Sequence, residues 1–294
     1  MEIADKAIEV PAVQSRAWLN VFGHGLDFNL ISSELNLTPY DTHRAGDLDR
    51  AKKPLPQDLW SVASPLPRSE PLNAHVQWLV DRLFPHYGFL LSLKRNAEVR
   101  SFCGLIIEGD RAAFRLSPKT LGLFVGLAIP MEISLIFSGI AQPIKDFSDL
   151  DSSQAKPEMK QPTIETYQTE CEVTFQISGA GLDLEGVSRT LGLKPSEAHR
   201  SVDRASLGQA DWGDLWSFAL PLPPNVELEA QLEWVGTRLL PHSDFLRSLK
   251  GTHELLIRCN FRTESETGGL SAAPASLRIC TDLDIPLEFN TSLM

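Results

Sequence analysis

The sequence lacks most of the features that identify a particular activity. Its four cysteines form no Cys-x-x-Cys pair, which predicts reduced thiols and not a zinc site or a disulfide framework. No His-x-x-x-His or His-Glu-x-x-His motif occurs, so we expect no bound metal. The glycine-rich loops of nucleotide-binding proteins are also absent, and we expect no cofactor.

Long hydrophobic runs are missing as well. The longest apolar run, Leu121 to Ile129, includes glycine and is far shorter than the roughly 18 residues of a membrane-spanning helix. Residues Met1 to Lys6 show neither the basic nor the apolar region of a secretory signal. These absences predict a cytoplasmic protein that does not enter a membrane.

Positive charge is scarce. The 294 residues include 27 Lys and Arg against 38 Asp and Glu, a net charge of −11, with an ordinary globular hydrophobic fraction of 43%. Nucleic-acid backbones and anionic membranes repel such a chain, so neither is expected as a main partner. Residues 1–140 carry 14 basic and 15 acidic side chains, whereas residues 171–294 carry 10 and 17. The negative charge therefore lies mainly in the second part.

The chain is an internal duplication. From Gly23 to Glu132 it aligns without a gap with the residues 156 positions later. The repeated motifs include Leu-Asp, Leu-x-Leu-x-Pro, His-Arg-x-x-Asp, Asp-Leu-Trp-Ser and Pro-His. We predict two homologous domains, residues 1–140 and 171–294, called here the first and second copy. The Asp-, Ser- and Pro-rich residues 141–170 between them are typical of a flexible linker.

Hydrophobic periodicity predicts the elements of each copy. Leu72, Val76, Leu79 and Leu83 share one face at the helical period, and Leu228, Leu232, Val235 and Leu239 repeat that pattern. Shorter helices are expected after Asp27 and Asp183 and after the Pro-His pairs, with a helical turn following Pro118. Alternating segments such as Val99–Ile107 predict strands. The expected fold class is α+β, with a largely antiparallel sheet, one long helix and two short helices in each copy.

This order of elements resembles a known family. A strand, Leu-Asp, a short helix ending in Leu-x-Leu-x-Pro, a Trp-Ser strand, a Trp-bearing long helix and a closing apolar strand are similar to the DUF4279 family, a mostly bacterial domain of unknown function. The resemblance covers nearly all of both copies. The first copy departs from it at Gly23-His24-Gly25, where a small or acidic residue is usual. The resemblance implies a fold, and it supplies no catalytic residues.

The most polar repeated motif is a candidate ligand site. It comprises His43, Arg44 and Asp47, and in the second copy His199, Arg200 and Asp203. A histidine and an arginine beside a carboxylate can bind an anion or act as an acid–base pair. The favoured alternative is that they fix a loop through charge-assisted hydrogen bonds, since no Ser or Cys nucleophile is repeated with them.

A second set of candidates lies on the long helices. Trp78 and Arg82 are one turn apart, as are Trp234 and Arg238, on the side away from the predicted apolar face. Either the loop preceding Trp60 covers these tryptophans, which we favour, or they anchor a partner.

The acidic residues of the second copy complete the candidates. Those on and near its helices are Glu227, Glu229, Glu233, Asp282 and Asp284. They form either a solvated face that aids solubility or a surface that attracts a basic partner.

Two functions from different classes follow. We favour a non-enzymatic protein-binding module, in concrete form an immunity protein that neutralises a bacterial toxin by binding a basic toxin domain and occluding its active site. The alternative is a small-ligand-binding or hydrolytic enzyme that uses His43, Arg44 and Asp47 or their duplicates. That alternative requires the three side chains to converge in a pocket.

Overall fold

The computed structural model describes residues 13–49, 51–138, 169–201 and 213–294. The strands of the first copy are β1 Val13–Gly23, β2 Asp41–His43, β3 Asp58–Ala63, β4 Glu98–Ile107, β5 Arg111–Leu116 and β6 Met131–Phe137. Those of the second copy are β7 Thr169–Gly179, β8 Glu197–His199, β9 Asp214–Ala219, β10 Glu254–Thr263, β11 Thr267–Ala272 and β12 Leu287–Leu293. The helices of the first copy are α1 Phe28–Leu35, α2 Leu72–Leu83, α3 Tyr87–Leu93 and α4 Pro118–Gly126. The second copy contributes α5 Leu184–Leu191, α6 Leu228–Leu239, α7 Ser243–Leu249 and α8 Pro274–Asp282.

Local sequence explains where the helices begin and end. The Asp27 carboxylate accepts a hydrogen bond from the Leu30 amide (3.0 Å), and Asp183 does the same in the second copy, so both aspartates cap a helix as predicted. Asn36 follows α1 in the left-handed conformation (φ 51°), which asparagine tolerates. At the end of α2, Pro85 lies in a short 3-10 turn that leads into α3, because proline cannot continue the hydrogen-bond ladder.

Each copy sends one strand into the sheet of the other. The first sheet has the order β11-β6-β4-β1-β3-β2, and the second has the order β5-β12-β10-β7-β9-β8. Strand β5 of the first copy pairs with β12, and β11 of the second copy pairs with β6, both antiparallel. The two copies therefore exchange one strand each, and each six-stranded sheet contains residues from both copies.

The position of β6 excludes a hairpin of β4 and β5. A hairpin would place β5 beside β4, but that edge of β4 is occupied by β6 in parallel pairing. Strand β5 instead pairs with β12 at the edge of the second sheet, and β11 takes the equivalent edge beside β6. Equivalent hydrogen bonds form just before each exchanged strand. The Leu293 amide donates to the Asp110 carbonyl (2.9 Å), and the Phe137 amide donates to the Glu266 carbonyl (2.8 Å).

Aromatic packing and ion pairs hold the exchanged strand β5. The rings of Phe114 and Phe289, which are directly opposite in β5 and β12, stack with centroids 4.9 Å apart. On the other face of β5, the Arg115 guanidinium contacts Glu288 (2.8 Å) and Glu254 (2.7 Å). Arg258 also contacts Glu288 (2.8 Å), so the network joins the first copy to three side chains of the second.

We expect Arg115→Ala to lower the free energy of unfolding by about 1 kcal/mol, since the guanidinium is partly exposed and water screens its ion pairs. Urea unfolding of both proteins measures the change. Arg111→Ala is the matched control: Arg111 lies on the same strand, is highly exposed, and its one ion pair with the described residues is a long contact with Asp110 (3.7 Å). Equal stability of the two variants would contradict a role for the Arg115 network.

Four helices form a layer that crosses from one copy to the other. Helix α2 contacts α4, α4 contacts α8, and α8 contacts α6. The apolar faces of these helices and the inner faces of both sheets belong to one cluster of buried side chains. The predicted helical stripes of α2 and α6 are buried in it, which confirms the periodicity analysis. The exchange and the shared core make one body of the two copies.

The fold class is confirmed as α+β with two homologous halves. The helical turn expected after Pro118 is a nine-residue helix, so each copy has a third short helix in place of the two predicted. Its start is capped by the Ser117 hydroxyl in the first copy. The predicted linker, 141–170, lies outside the described residues except for its last two, which begin β7.

Candidate functional site

The His-Arg-Asp motif of the first copy is built around Arg44. Its guanidinium donates to the Leu26 carbonyl (2.6 Å) and to the Asp58 carboxylate (3.1 Å), and it lies over the ring of Phe28 at 3.7 Å. The Asp47 carboxylate accepts a hydrogen bond from the backbone amide of Arg44 (2.6 Å). These contacts tie the loop after β2 to the start of α1.

The second copy repeats this arrangement. Arg200 donates to the Leu182 carbonyl (2.6 Å) and to Asp214 (3.3 Å). His199 pairs through Nε2 with Glu197 (2.8 Å), its neighbour on the three-residue strand β8. Asp203 lies outside the described residues. Within the described part of this motif, both the arginine and the histidine contact neighbouring protein groups.

The centre of each loop is a buried aspartate that the sequence analysis did not single out. Asp58 is 3% exposed and Asp214 is 4% exposed. One Asp58 oxygen accepts from the Leu26 amide (2.8 Å) and the other from the Ala45 amide (2.8 Å). Asp214 accepts from the amides of Leu182 and Ser201 in the same way. The available signal was the repetition of Asp in both Asp-Leu-Trp-Ser motifs.

The surroundings of these buried aspartates favour the ionised form. Burial raises the pKa of Asp58, but the hydrogen bonds from Ala45, Leu26 and Arg44 outweigh it, and the net pKa is below the ordinary value. For Asp214, the hydrogen bond from the Ser201 amide is the largest cause of a lowered pKa. Each carboxylate is therefore a structural anion that organises its loop and not a proton donor near neutral pH.

Periodicity placed the two tryptophan–arginine pairs on the side of the helices away from the core, but the tryptophan rings contact the core. Trp78 and Trp234 are half-buried and pack against the core cluster. Trp234 also stacks on Phe218 of β9 with centroids 5.7 Å apart. Arg82 and Arg238 are exposed and lie 5.8 Å and 5.2 Å from the rings of Trp78 and Trp234. The arginines are therefore exposed, whereas the tryptophan rings are accessible only in part.

An exposed apolar pair that the sequence patterns did not predict lies beside these arginines. Phe84 is 65% exposed and its counterpart Leu240 is 41% exposed, each directly before the Pro-His pair. Large apolar side chains at equivalent exposed positions of both copies are suited to contact a partner. The sequence signal for this pair was that Phe84 and Leu240 are apolar but fall outside the helical stripes.

The acidic candidates of the second copy differ in their surroundings. Asp284 contacts Lys250, and Asp282 lies 3.5 Å from Arg278. The half-buried Glu229 accepts a hydrogen bond from the Ala273 amide (2.8 Å) at the start of α8. Glu227 and Glu233 are exposed, and no ion pair in the described part of the chain involves either of them. These last two carboxylates present uncompensated charge on the surface of α6.

The acidic candidates distinguish the second copy from the first. All five acidic candidates occupy positions that are uncharged in the first copy. Their counterparts are Pro71, Asn73, Gln77, Gly126 and Ala128. The backbone framework is the same in both copies, and these five positions differ in charge.

No metal site is apparent in the described ranges, where no three His, Cys, Asp or Glu side chains are grouped so that they could hold an ion. None of the described helices is long and apolar enough to cross a bilayer.

The architecture and the repeated loops define a duplicated α+β domain. The chain belongs to the DUF4279 family, described as a domain of unknown function, whose family model matches residues 13–138 and 169–294. The double match agrees with the duplication seen in the sequence. A comparison with curated proteins finds no match.

Proposed function

We propose that this chain is a non-enzymatic protein-binding module whose second copy recognises a basic partner. The observation that carries the proposal is the replacement of five uncharged residues of the first copy by carboxylates at the same positions of the second. A solubility role would be served by charge anywhere on the surface. Three of these carboxylates, Glu227, Glu229 and Glu233, lie at the start of α6 or on it, and such a group favours complementarity to a positive surface.

The contact surface is centred on α6. Glu227 and Glu233 supply charge that no ion pair among the described residues compensates, and Arg238 and Leu240 at the far end of the helix supply a polar and an apolar contact. Charges of this kind raise the association rate, while apolar and arginine side chains contribute more to the stability of the complex. Because α6 packs into the shared core, this surface is ordered before the partner binds, which limits the entropy lost on association.

In its concrete form, the partner is a basic bacterial toxin domain, and the chain is its immunity protein. Binding would neutralise the toxin by covering its active site. The enzymatic alternative, which relies on His43, Arg44 and Asp47, finds less support, because Arg44 and Asp47 are engaged in fixing the loop.

The test uses a basic toxin domain encoded beside this protein, produced together with the full chain. We expect a stable one-to-one complex by light scattering and loss of the toxin's activity in a reconstituted assay. A toxin that remains active and elutes separately would refute the concrete proposal.

A charge reversal locates the surface. We expect Glu233→Lys to lower the association rate constant for the basic partner about tenfold at low salt, with a smaller effect at high salt, because steering is screened. Surface plasmon resonance measures both rates. Glu185→Lys is the matched control, since Glu185 is also exposed in the second copy but lies on α5. Equal effects of the two reversals would show that net charge, and not the α6 surface, governs association.

A further inference from the structure

Two thiols of the second copy are neighbours in space. Cys171 and Cys259 are 88 residues apart in the chain, yet their Sγ atoms lie 3.1 Å apart. They belong to the antiparallel strands β7 and β10, where Cys171 is opposite Phe261 and Cys259 is opposite Val173. The cysteines are thus a diagonal pair on one face of the sheet, and the twist of a sheet brings one set of diagonal neighbours close together.

A buried glutamine holds the backbone that carries Cys171. The Gln231 side chain donates to the Cys171 carbonyl (2.5 Å) and accepts from the Val173 amide (2.9 Å). The Cys171 amide donates to the Pro224 carbonyl (2.7 Å). With its backbone bound on both sides, Cys171 keeps its thiol directed at Cys259.

The first copy has no such pair. Its Cys103 corresponds to Cys259, but Ser15 takes the place of Cys171 and donates to the Glu70 carbonyl (2.6 Å). In place of Gln231 it has His75, whose Nδ1 lies 3.1 Å from the Ser64 hydroxyl. The paired thiols are therefore a property of the second copy and not a requirement of the fold.

One of the two thiols can be reached from outside. Cys171 is 8% exposed and lines a cavity of about 300 Å³ between the start of β7, the segment before α6 and strand β11. Cys259 is fully buried and is not among the lining residues. The cavity is large enough for a small thiol reagent, so the order of reaction is set by access.

We propose that Cys171 and Cys259 form a redox modification site, which a low-molecular-weight disulfide converts into an intramolecular disulfide. The Cys171 thiolate attacks one sulfur of the reagent RSSR, which forms a mixed disulfide and releases RS⁻, protonated to RSH. The Cys259 thiol then loses its proton and attacks the Cys171 sulfur, which expels the second RSH. Two thiols of the protein are oxidised, and one RSSR is reduced to two RSH.

The chemistry of the other thiols supports this order. Contact with Cys171 and burial raise the pKa of Cys259, which disfavours it as the first nucleophile. Burial raises the pKa of Cys103 and of Cys280 to about 12 each, and neither has a neighbouring thiol. We expect both to remain reduced in the folded chain.

The experiment treats the full, folded chain with 2-hydroxyethyl disulfide, alkylates free thiols and measures intact mass and peptide linkage. We expect the loss of two hydrogens and a single crosslink between the peptides of Cys171 and Cys259. The oxidised form should melt at a higher temperature than the reduced form, and an excess of a dithiol should reverse the shift.

Three variants make the outcome decisive. Cys171→Ser, which introduces the residue that the first copy has at this position, should abolish the reaction, whereas Cys103→Ser should leave it unchanged. In Cys259→Ser, the mixed disulfide on Cys171 should accumulate. Circular dichroism confirms that each variant is folded. Absence of reaction at Cys171 in the folded chain, a mixed disulfide that persists while Cys259 is intact, or a crosslink to another cysteine would overturn the proposal.

Discussion

Asp58→Ala is expected to lower the free energy of unfolding by about 3 kcal/mol, as estimated from the loss of partners for buried donors. The substitution leaves the amides of Leu26 and Ala45 without an acceptor and frees the Arg44 guanidinium from its carboxylate. The partly exposed Arg44 can be hydrated, so the two amides account for most of the loss. Chemical unfolding measures the change, and Asp214→Ala should behave alike.

Asp47→Ala is the control for this substitution. Asp47 accepts one hydrogen bond from the Arg44 amide at an exposed site, and its loss should destabilise the protein by no more than about 1 kcal/mol. If Asp58→Ala and Asp47→Ala were equally stable, the central role assigned to the buried aspartate would be wrong.

Acid unfolding tests the contribution of Asp58 to stability independently. The pKa of Asp58 is lower in the folded protein than its ordinary value, so its stabilisation is complete above about pH 4 and disappears as the pH falls through the folded pKa. The Asp58→Ala variant has already lost this contribution. Its stability should therefore decline less steeply below pH 4 than that of the unchanged protein.

The second large effect concerns the exchanged strands. We expect residues 169–294, produced alone, not to form a folded monomer. This half lacks β5, which pairs with β12 and stacks Phe114 on the buried Phe289, and it lacks α4, against which α8 packs. Loss of a buried phenylalanine alone typically destabilises a core by about 3–5 kcal/mol. The expected products are an unfolded chain or a dimer in which each β11 pairs with the partner's β12.

Light scattering and circular dichroism distinguish these states. The control is the two halves, residues 1–138 and 169–294, produced together as separate chains. They should reassemble into a one-to-one complex with the spectrum of the intact protein. A folded monomer of the second half, as stable as the full chain, would contradict the exchange.

Local patterns in the sequence predicted most of the fold. The stripe from Leu72 to Leu83 and the capping residues Asp27 and Asp183 are governed by contacts within a few residues, and the structure confirms them. The exchange of β5 and β11 could not be predicted from such local contacts. Ala112, Phe114 and Leu116 alternate inward on β5, and this alternation is the same whichever sheet edge the strand joins.

The candidate site was also only partly predictable from the sequence. Repetition identified Arg44 and Asp47, but the acceptor at the centre of their loop, Asp58, was hidden within a motif interpreted as a strand. The proximity of Cys171 and Cys259 depends on the register of β7 and β10, which no spacing in the chain reveals. Contacts that depend on register or on long-range pairing are set by tertiary structure.

The strand exchange has a consequence for how the two halves can change. In a symmetric dimer of identical subunits, every substitution occurs twice and alters both equivalent surfaces. Here a peptide chain joins the exchanged partners, so a substitution occurs once, while the reciprocal pairing of β5 and β11 keeps the scaffold common to both. One copy can therefore acquire a new surface or a new thiol, while the other copy continues to supply the exchanged strand that completes its sheet.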